Sequence, residues 1–241
     1  MTVLNALHKT YPGVIHANGS SLSRPDPKWE AIKRAASRMP AQNIGPSSDI
    51  SVITLNNTSE KGLLERSLER LGAPYIVAGR AISPWVNALH KPQGLLEALA
   101  MVHAKYCLYA DSFDALLLSA PDDLLSIYLT NFTGASLVFG AGADNFPPDD
   151  QMAAFDSSRP GACAPFRHLN SGAWIGETHF ARQFFEAVMT TGLRIDYPWS
   201  EQGRVRTAFQ CFADHIALDY RCRIFQNNAS RLAAPYLEIV Q

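Results

Sequence analysis

"DISVITLNNTSEKGLLERSLERLGAPYIVA", residues 49–78, decides the architecture. Its first seven residues, DISVITL, are a short β-rich apolar run. From Ser59 to Leu71, the side chains Leu63, Leu64, Ser67, Leu68 and Leu71 then recur on one helical face. Gly72 closes that helix and Pro74 prevents its continuation, so that PYIVA, residues 74–78, starts a second strand. Further out, residues 93–103 form a second amphipathic helix and YCLYA, residues 106–110, a third strand. This β-α-β-α-β order predicts an α/β fold of the doubly wound, parallel kind. Ligands of such sheets bind at the carboxyl ends of the strands.

Beyond this unit the pattern predicts a helix at 121–130, a strand at 136–139, and a Pro/Asp/Gly-rich loop at 141–165, long enough to be functional. A strand at 173–175 leads to a periodic helix carrying Phe180, Phe184, Phe185, Val188 and Met189, then a helix at 201–213 and a strand at 223–225. Residues 40–48, rich in Pro, Ser and Gly, read as a linker between residues 1–39 and the core at 49–241. The 241 residues, 47% hydrophobic, are expected to form a single domain.

A net charge of −1 with scattered Lys and Arg argues against nucleic acid as a partner. The strongest apolar run, 115–129, is broken by Pro121-Asp122-Asp123, so no membrane span is expected. His8, Lys9 and Pro12 interrupt the only stretch that could serve as a secretory signal, which points to a cytoplasmic protein. The four cysteines have no metal spacing and read as buried thiols. Sequons such as those at Asn18, Asn56, Asn131 and Asn228 then read as chance matches.

In "YADSFDALL", residues 109–117, Asp111 ends a buried strand and Asp114 follows three residues later. If the chain turns helical there, both carboxylates face one point, a hard-oxygen set suited to Mn²⁺ or Mg²⁺ with a phosphate. An isolated D-x-x-D more often reads as a helix cap beside a solvated acid. At the front of the chain, the strand Val14-Ile15 runs into His16, so that an imidazole is expected to sit exposed at a strand end.

The order "YADSFDALL", "SLVFGAG", "HLNSGAWIG", "CRIFQN" resembles the glycosyltransferase domain of procollagen lysyl hydroxylases and related procollagen galactosyltransferase-like proteins, from about residue 49 to residue 228. The resemblance implies a GT-A type, Rossmann-like mixed sheet flanked by helices, with Asp111 and Asp114 holding Mn²⁺ on the diphosphate of a UDP-sugar. It also implies donor contacts from Thr54 and Leu55 in the first strand, from Trp85 near the uracil, and from Lys91 near a phosphate. Ser112, Ser171 and Gly172 join that donor-binding set. In "LNSG", Asn170 would serve the sugar hydroxyls and Gly172 would allow close backbone approach.

The family's domain ends with a segment whose histidine completes the metal site. Here the chain ends at "PYLEIVQ", and its opening "VLNALHKTYPGVIHANG", residues 3–19, matches that segment instead. The match implies a circular permutation, with residues 1–39 as the displaced C-terminal piece. On that arrangement His16 joins Asp111 and Asp114, Gly19 belongs to the donor site, and Gln241 lies near Met1. "PDPKW", residues 25–29, resembles the K-P-W closure of other GT-A enzymes and makes Lys28 a phosphate contact.

One departure stands out. Where the family has consecutive aspartates followed by Gln, this chain has "WSEQ", leaving Glu201 as a carboxylate, Gln202 as in the family, and Ser200 in place of an acid. The function implied is metal-dependent transfer of a hexose, galactose or glucose, from UDP-sugar to the hydroxyl of a glycan or protein side chain. Glu201, Gln202 and Asn170 are the catalytic candidates. Two other readings stand beside it: a UDP-sugar-binding or assembly module that has lost transfer, and a nucleotidyltransferase. The last would need a glycine-rich triphosphate loop, for which the first strand supplies only Gly62.

Overall fold

Along each central strand, alternate side chains belong to alternate cores. Ile53, Leu55, Cys107, Tyr109, Leu137, Phe139 and Trp174 join one buried cluster, while Val52, Leu108, Ala110, Val138, Ala173 and Ile175 join another. That period-2 division is what a sheet buried on both faces produces. The computed structural model describes residues 2–17, 27–228 and 236–240.

The strands are β1 (Thr2–Asn5), β2 (Val14–His16), β3 (Ile50–Leu55), β4 (Tyr75–Ala78), β5 (Tyr106–Ala110), β6 (Ala115–Leu117), β7 (Leu137–Gly142), β8 (His168–Glu177), β9 (Ile216–Asp219), β10 (Phe225–Asn227) and β11 (Leu237–Val240). The helices are α1 (Pro27–Ser37), α2 (Leu63–Leu71), α3 (Asn87–Ala100), α4 (Pro121–Asn131), α5 (Asp150–Ser158), α6 (Thr178–Thr190) and α7 (Glu201–Cys211). Six strands form the main sheet in the order β4-β3-β5-β8-β7-β9. β8 runs antiparallel to both neighbours, whereas β4, β3 and β5, and β7 and β9, pair in parallel. The β-α-β-α-β unit is parallel, as its order predicts, and β8 makes the whole sheet mixed, so the fold is α/β with the helix-flanked mixed sheet that the resemblance implies. Helices α3, α6 and α7 pack on one face; α2 and α4 pack on the other.

A second, three-stranded sheet of order β10-β2-β6 lies against that other face. Its position is fixed by Asp219, whose carboxylate accepts the backbone N–H groups of Arg223, Ile224 and Phe225 at 2.7–2.9 Å and so sets the turn into β10. α1 closes over Val3, Ile15, Leu116 and Leu118 in a third cluster. β1 pairs antiparallel with β11, Thr2 opposite Val240, so the two ends of the chain adjoin.

Several elements differ from expectation. Asp111–Asp114 is a turn between β5 and β6 rather than the start of a helix, because the chain folds straight back to pair with β2. The loop expected at 141–165 contains α5, and β9 is an additional strand. The strand expected at 223–225 lies at Phe225–Asn227. The strand expected at 173–175 is longer, beginning at His168 and taking in "LNSG" as part of the ten-residue β8. All four cysteines are free; Cys107 and Cys222 are buried, but Cys211 is exposed and Cys163 half-buried. No helix among the described residues is long and apolar enough to cross a membrane.

Candidate active site

The short sheet brings the first histidine to the acidic turn by register alone. His16 ends β2, opposite Ala115 of β6 and Asn227 of β10, and Ala17 N–H donates to the Asp114 carbonyl at 2.8 Å. Its Nε2 lies 3.5 Å from Asp111 Oδ2 and 3.4 Å from Asp114 Oδ1. The ligand atoms of the three residues all fall within 4.8 Å of one another. Asn227 Nδ2 donates to the Ala141 carbonyl at 2.9 Å, which turns its Oδ1 toward His16 Nδ1 at 2.8 Å. Nδ1 therefore carries the proton in the neutral ring, leaving the Nε2 lone pair aimed at the two carboxylates.

β8 supplies the opposite wall. Phe139 of β7 faces Trp174, but its neighbour Gly140 faces Asn170, so residues 171–173 have no partner on β7. This bulge carries Ser171 and Gly172 into the site. A Cβ on Gly172 would lie 1.9 Å from His16 Cε1, so the close approach that requires glycine is to the imidazole. Asn170 Oδ1 accepts the Gly172 N–H at 3.0 Å, and Ser171 Oγ donates to Glu201 Oε2 at 2.9 Å.

Lys91, on α3, bridges the acids, with Nζ 2.9 Å from Asp111 Oδ1 and 3.5 Å from Glu201 Oε2. Burial alone would raise the Asp111 pKa, yet Lys91, with His16 and the hydrogen bond from Tyr109 Oη, holds it well below the usual carboxylate range. Burial likewise opposes charge on His16, but Asp114 and Asp111 outweigh it and push its pKa up to about 10. Glu201 is raised instead, because burial dominates, only partly offset by Lys91.

The turn opens on two cavities that meet at Asn87, Lys91, Asp111 and Asp114. The larger, about 510 Å³, is lined by His16, Asn170, Ser171, Gly172, Glu201 and Gln202, and by Asp144, Asn145, Phe146 and Trp199. The smaller, about 200 Å³, is lined by Leu55, Asn57, Trp85, Asn87, Ser112 and Phe113.

The structure gathers most of the residues singled out in the sequence around these cavities, and gives several of them local duties. Thr54 turns its hydroxyl to the Ala110 carbonyl at 2.8 Å. Ser112 donates to the buried Glu65 at 2.8 Å, within a network that also includes Asn56 and Gly62. Gln202 accepts from Ser171 N–H at 3.3 Å and donates to the Phe146 carbonyl at 2.6 Å. Ser200 caps α7, its Oγ accepting the Gly203 N–H at 3.3 Å. Lys28, on α1, donates to the Leu237 carbonyl at 3.2 Å. Gly19, Met1 and Gln241 lie outside the described residues. Sequence reasoning assigned no role to Asn227, Asp144 or Tyr109; the strand motif "CRIFQN" contains Asn227 but does not reveal its partner.

The donor set fits a divalent cation. His16 Nε2 is buried and makes no hydrogen bond, and one imidazole with two carboxylates is a reasonable Mn²⁺ shell.

The chain matches no family model and no curated protein. It is similar to a solved structure, glucosyl-3-phosphoglycerate synthase of Mycobacterium tuberculosis, at 16% identity and a TM-score of 0.42, covering 86% of this chain and 78% of that one. Two complexes of that synthase, one with Mn²⁺, UDP and phosphoglyceric acid and one with Mn²⁺, UDP-glucose and phosphoglyceric acid, each give 15% identity and a TM-score of 0.40. They cover 85% of this chain and 74% and 76% of theirs, respectively. With overlap this loose, the functional reading rests on the site's own residues.

Proposed function

We propose that the chain is a metal-dependent glycosyltransferase of the GT-A type that moves a hexose, galactose or glucose, from a UDP-sugar to a hydroxyl acceptor. The observation that carries this is the convergence of His16, Asp111 and Asp114 between two cavities. These three residues would hold Mn²⁺ or Mg²⁺, which when bound offsets the charge that grows on a departing diphosphate.

The chain's own groups divide the remaining work. Leu55 and Trp85 give the smaller cavity apolar surface for a uracil, with Asn57 and Asn87 at its polar positions. Lys91, held between Asp111 and Glu201, would meet a phosphate oxygen at the junction. Asn170 and Ser171 line the larger cavity beside Glu201. Glu201 Oε1 is buried with no hydrogen-bond partner, and its raised pKa suits a general base. In an inverting transfer it would take the acceptor's proton as the acceptor oxygen bonds to the sugar's anomeric carbon and the bond from that carbon to the diphosphate breaks.

The adjoining ends, Thr2 opposite Val240, support a circular permutation of the procollagen galactosyltransferase-like arrangement. A second reading, a UDP-sugar-binding module without transfer, draws on Ser200, which supplies a helix cap where that family has an acid. A screen of UDP-sugars with Mn²⁺ for hydrolysis and transfer, run beside calorimetry with UDP, separates the two. Turnover lost in Asp111→Asn and His16→Ala supports the enzyme; UDP binding without any turnover supports the module. Full turnover in either variant overturns the proposal.

A further inference from the structure

The larger cavity has an outer half that metal and donor chemistry do not explain. Phe146, Tyr197 and Trp199 form a three-ring cluster with centroids 5.7–6.0 Å apart, and Phe146 and Trp199 line the cavity. Trp199 remains 56% exposed and Phe146 36%, so the two rings present a contiguous apolar patch at the cavity, the kind of surface that marks a binding groove. The wall is held in place from behind. Gln202 grips the Phe146 carbonyl, and Trp199 immediately precedes Ser200, the buried cap of α7.

Polar atoms at the same cavity point to the chemistry of the guest. Asn145 Oδ1 and Glu201 Oε1 belong to lining residues and are buried without hydrogen-bond partners. Each is a hydrogen-bond acceptor lacking a donor, a costly condition that a ligand's O–H group relieves. Charge narrows the choice further. The lining holds four acids, Asp111, Asp114, Asp144 and Glu201, against two cations, Lys91 and His16, and both cations already face those acids. An anionic acceptor would enter a site of its own sign.

From these features we infer that the outer half of the cavity is an acceptor subsite for an uncharged pyranose, with one ring face against Trp199 and Phe146 and hydroxyls donating to Asn145 and Glu201. The acceptor is then itself a sugar. This rests on the glycosyltransferase reading above and adds its acceptor class.

The test is saturation-transfer NMR on the whole chain with UDP and Mg²⁺, which unlike paramagnetic Mn²⁺ leaves the probe resonances sharp, Mn²⁺ being kept for the calorimetry. The probes are methyl β-galactopyranoside, methyl β-glucopyranoside, 3-phosphoglycerate and a hydroxylysine-containing peptide, and UDP binding is followed in parallel by calorimetry. At least one glycoside should receive saturation on one ring face. Trp199→Ala should weaken that binding roughly fivefold or more, and Trp199→Phe, which keeps an aromatic face and controls for folding, should restore most of it. Binding of only the phosphoglycerate or only the peptide, or glycoside binding unchanged in Trp199→Ala, overturns the inference. If UDP and Mn²⁺ bind but no glycoside does, the inference alone fails. If glycosides bind at Trp199 while UDP and Mn²⁺ do not, the transferase reading alone fails.

Discussion

His16 shows how one side chain is set by groups that need touch no substrate. Gly172 leaves room for the ring, and Asn227, itself held by the Ala141 carbonyl, fixes which nitrogen carries the proton. Replacing Asn227 by Leu removes that control and is expected to weaken Mn²⁺ binding about 10–100-fold, the usual effect of losing a partner behind a metal ligand. Asn227→Asp still accepts from Nδ1 but cannot donate to the Ala141 carbonyl, so its affinity should fall between those of Asn227→Leu and the wild type; calorimetry with Mn²⁺ alone checks both. Glu201 carries a cost of the opposite kind. Burial raises its pKa above the ordinary 4.5, so the stability it contributes is fully present below that value and is lost as pH rises through the folded pKa. Glu201→Gln is therefore expected to melt above the wild type at pH 7–8, with the gap closing as pH falls toward 4.5. As the proposed base, the same variant should lose about 10²–10⁴-fold in transfer rate. Melts that show the variant less stable than wild type at pH 8 contradict the assignment of a buried, ionised carboxylate.

At the scale of the element, α7 begins at the site and its cap decides how firmly Glu201 and Gln202 are held. Ser200→Ala should cost about 1 kcal/mol in urea unfolding, whereas Ser200→Asp, an equivalent cap, should fall within about 0.5 kcal/mol of wild type. Elements with strong periodicity were legible from sequence: α2, from its recurring leucines, and α6, through Phe184, Phe185 and Val188, which are all fully buried. The three-residue β6 and the four-residue β9 were not, and β10 lies two residues beyond its expected place, since a few residues hold no period and owe their conformation to partners distant in sequence. Nor was the bulge in β8, which exists only relative to β7. The site divides in the same way. Asp111, Asp114 and His16 sit in motifs that could be read, but that Thr54 bonds to Ala110, that Asn227 backs His16 and that Asp144 reaches the cavity are consequences of pairing and packing that no local pattern encodes.

At the scale of the whole molecule, the chain's order and the fold's connectivity are separable. β1 and β11 are adjacent and antiparallel, so a short loop from Gln241 to Met1 would join them as a hairpin. New ends can be opened in the segment at 40–48, which has no helix or strand. The cut belongs between Gly45 and Pro46: Gln42, Ile44 and Gly45 are tied by backbone hydrogen bonds to the end of α2, and Ser47 is tied to Asp122 and Asp49. Opening the chain there removes none of these contacts, and breaks at exposed connecting segments are the ones proteins tolerate. Such a permuted protein places His16 after Asp111 and Asp114 in sequence while leaving all three in the same register. It is expected to fold with the parent's near-ultraviolet circular dichroism and to bind Mn²⁺ within about tenfold of the parent, or about 1.4 kcal/mol. A protein that folds but binds Mn²⁺ far more weakly would mean that the ordering of the first strands, rather than sheet register alone, aims His16 at the acidic turn.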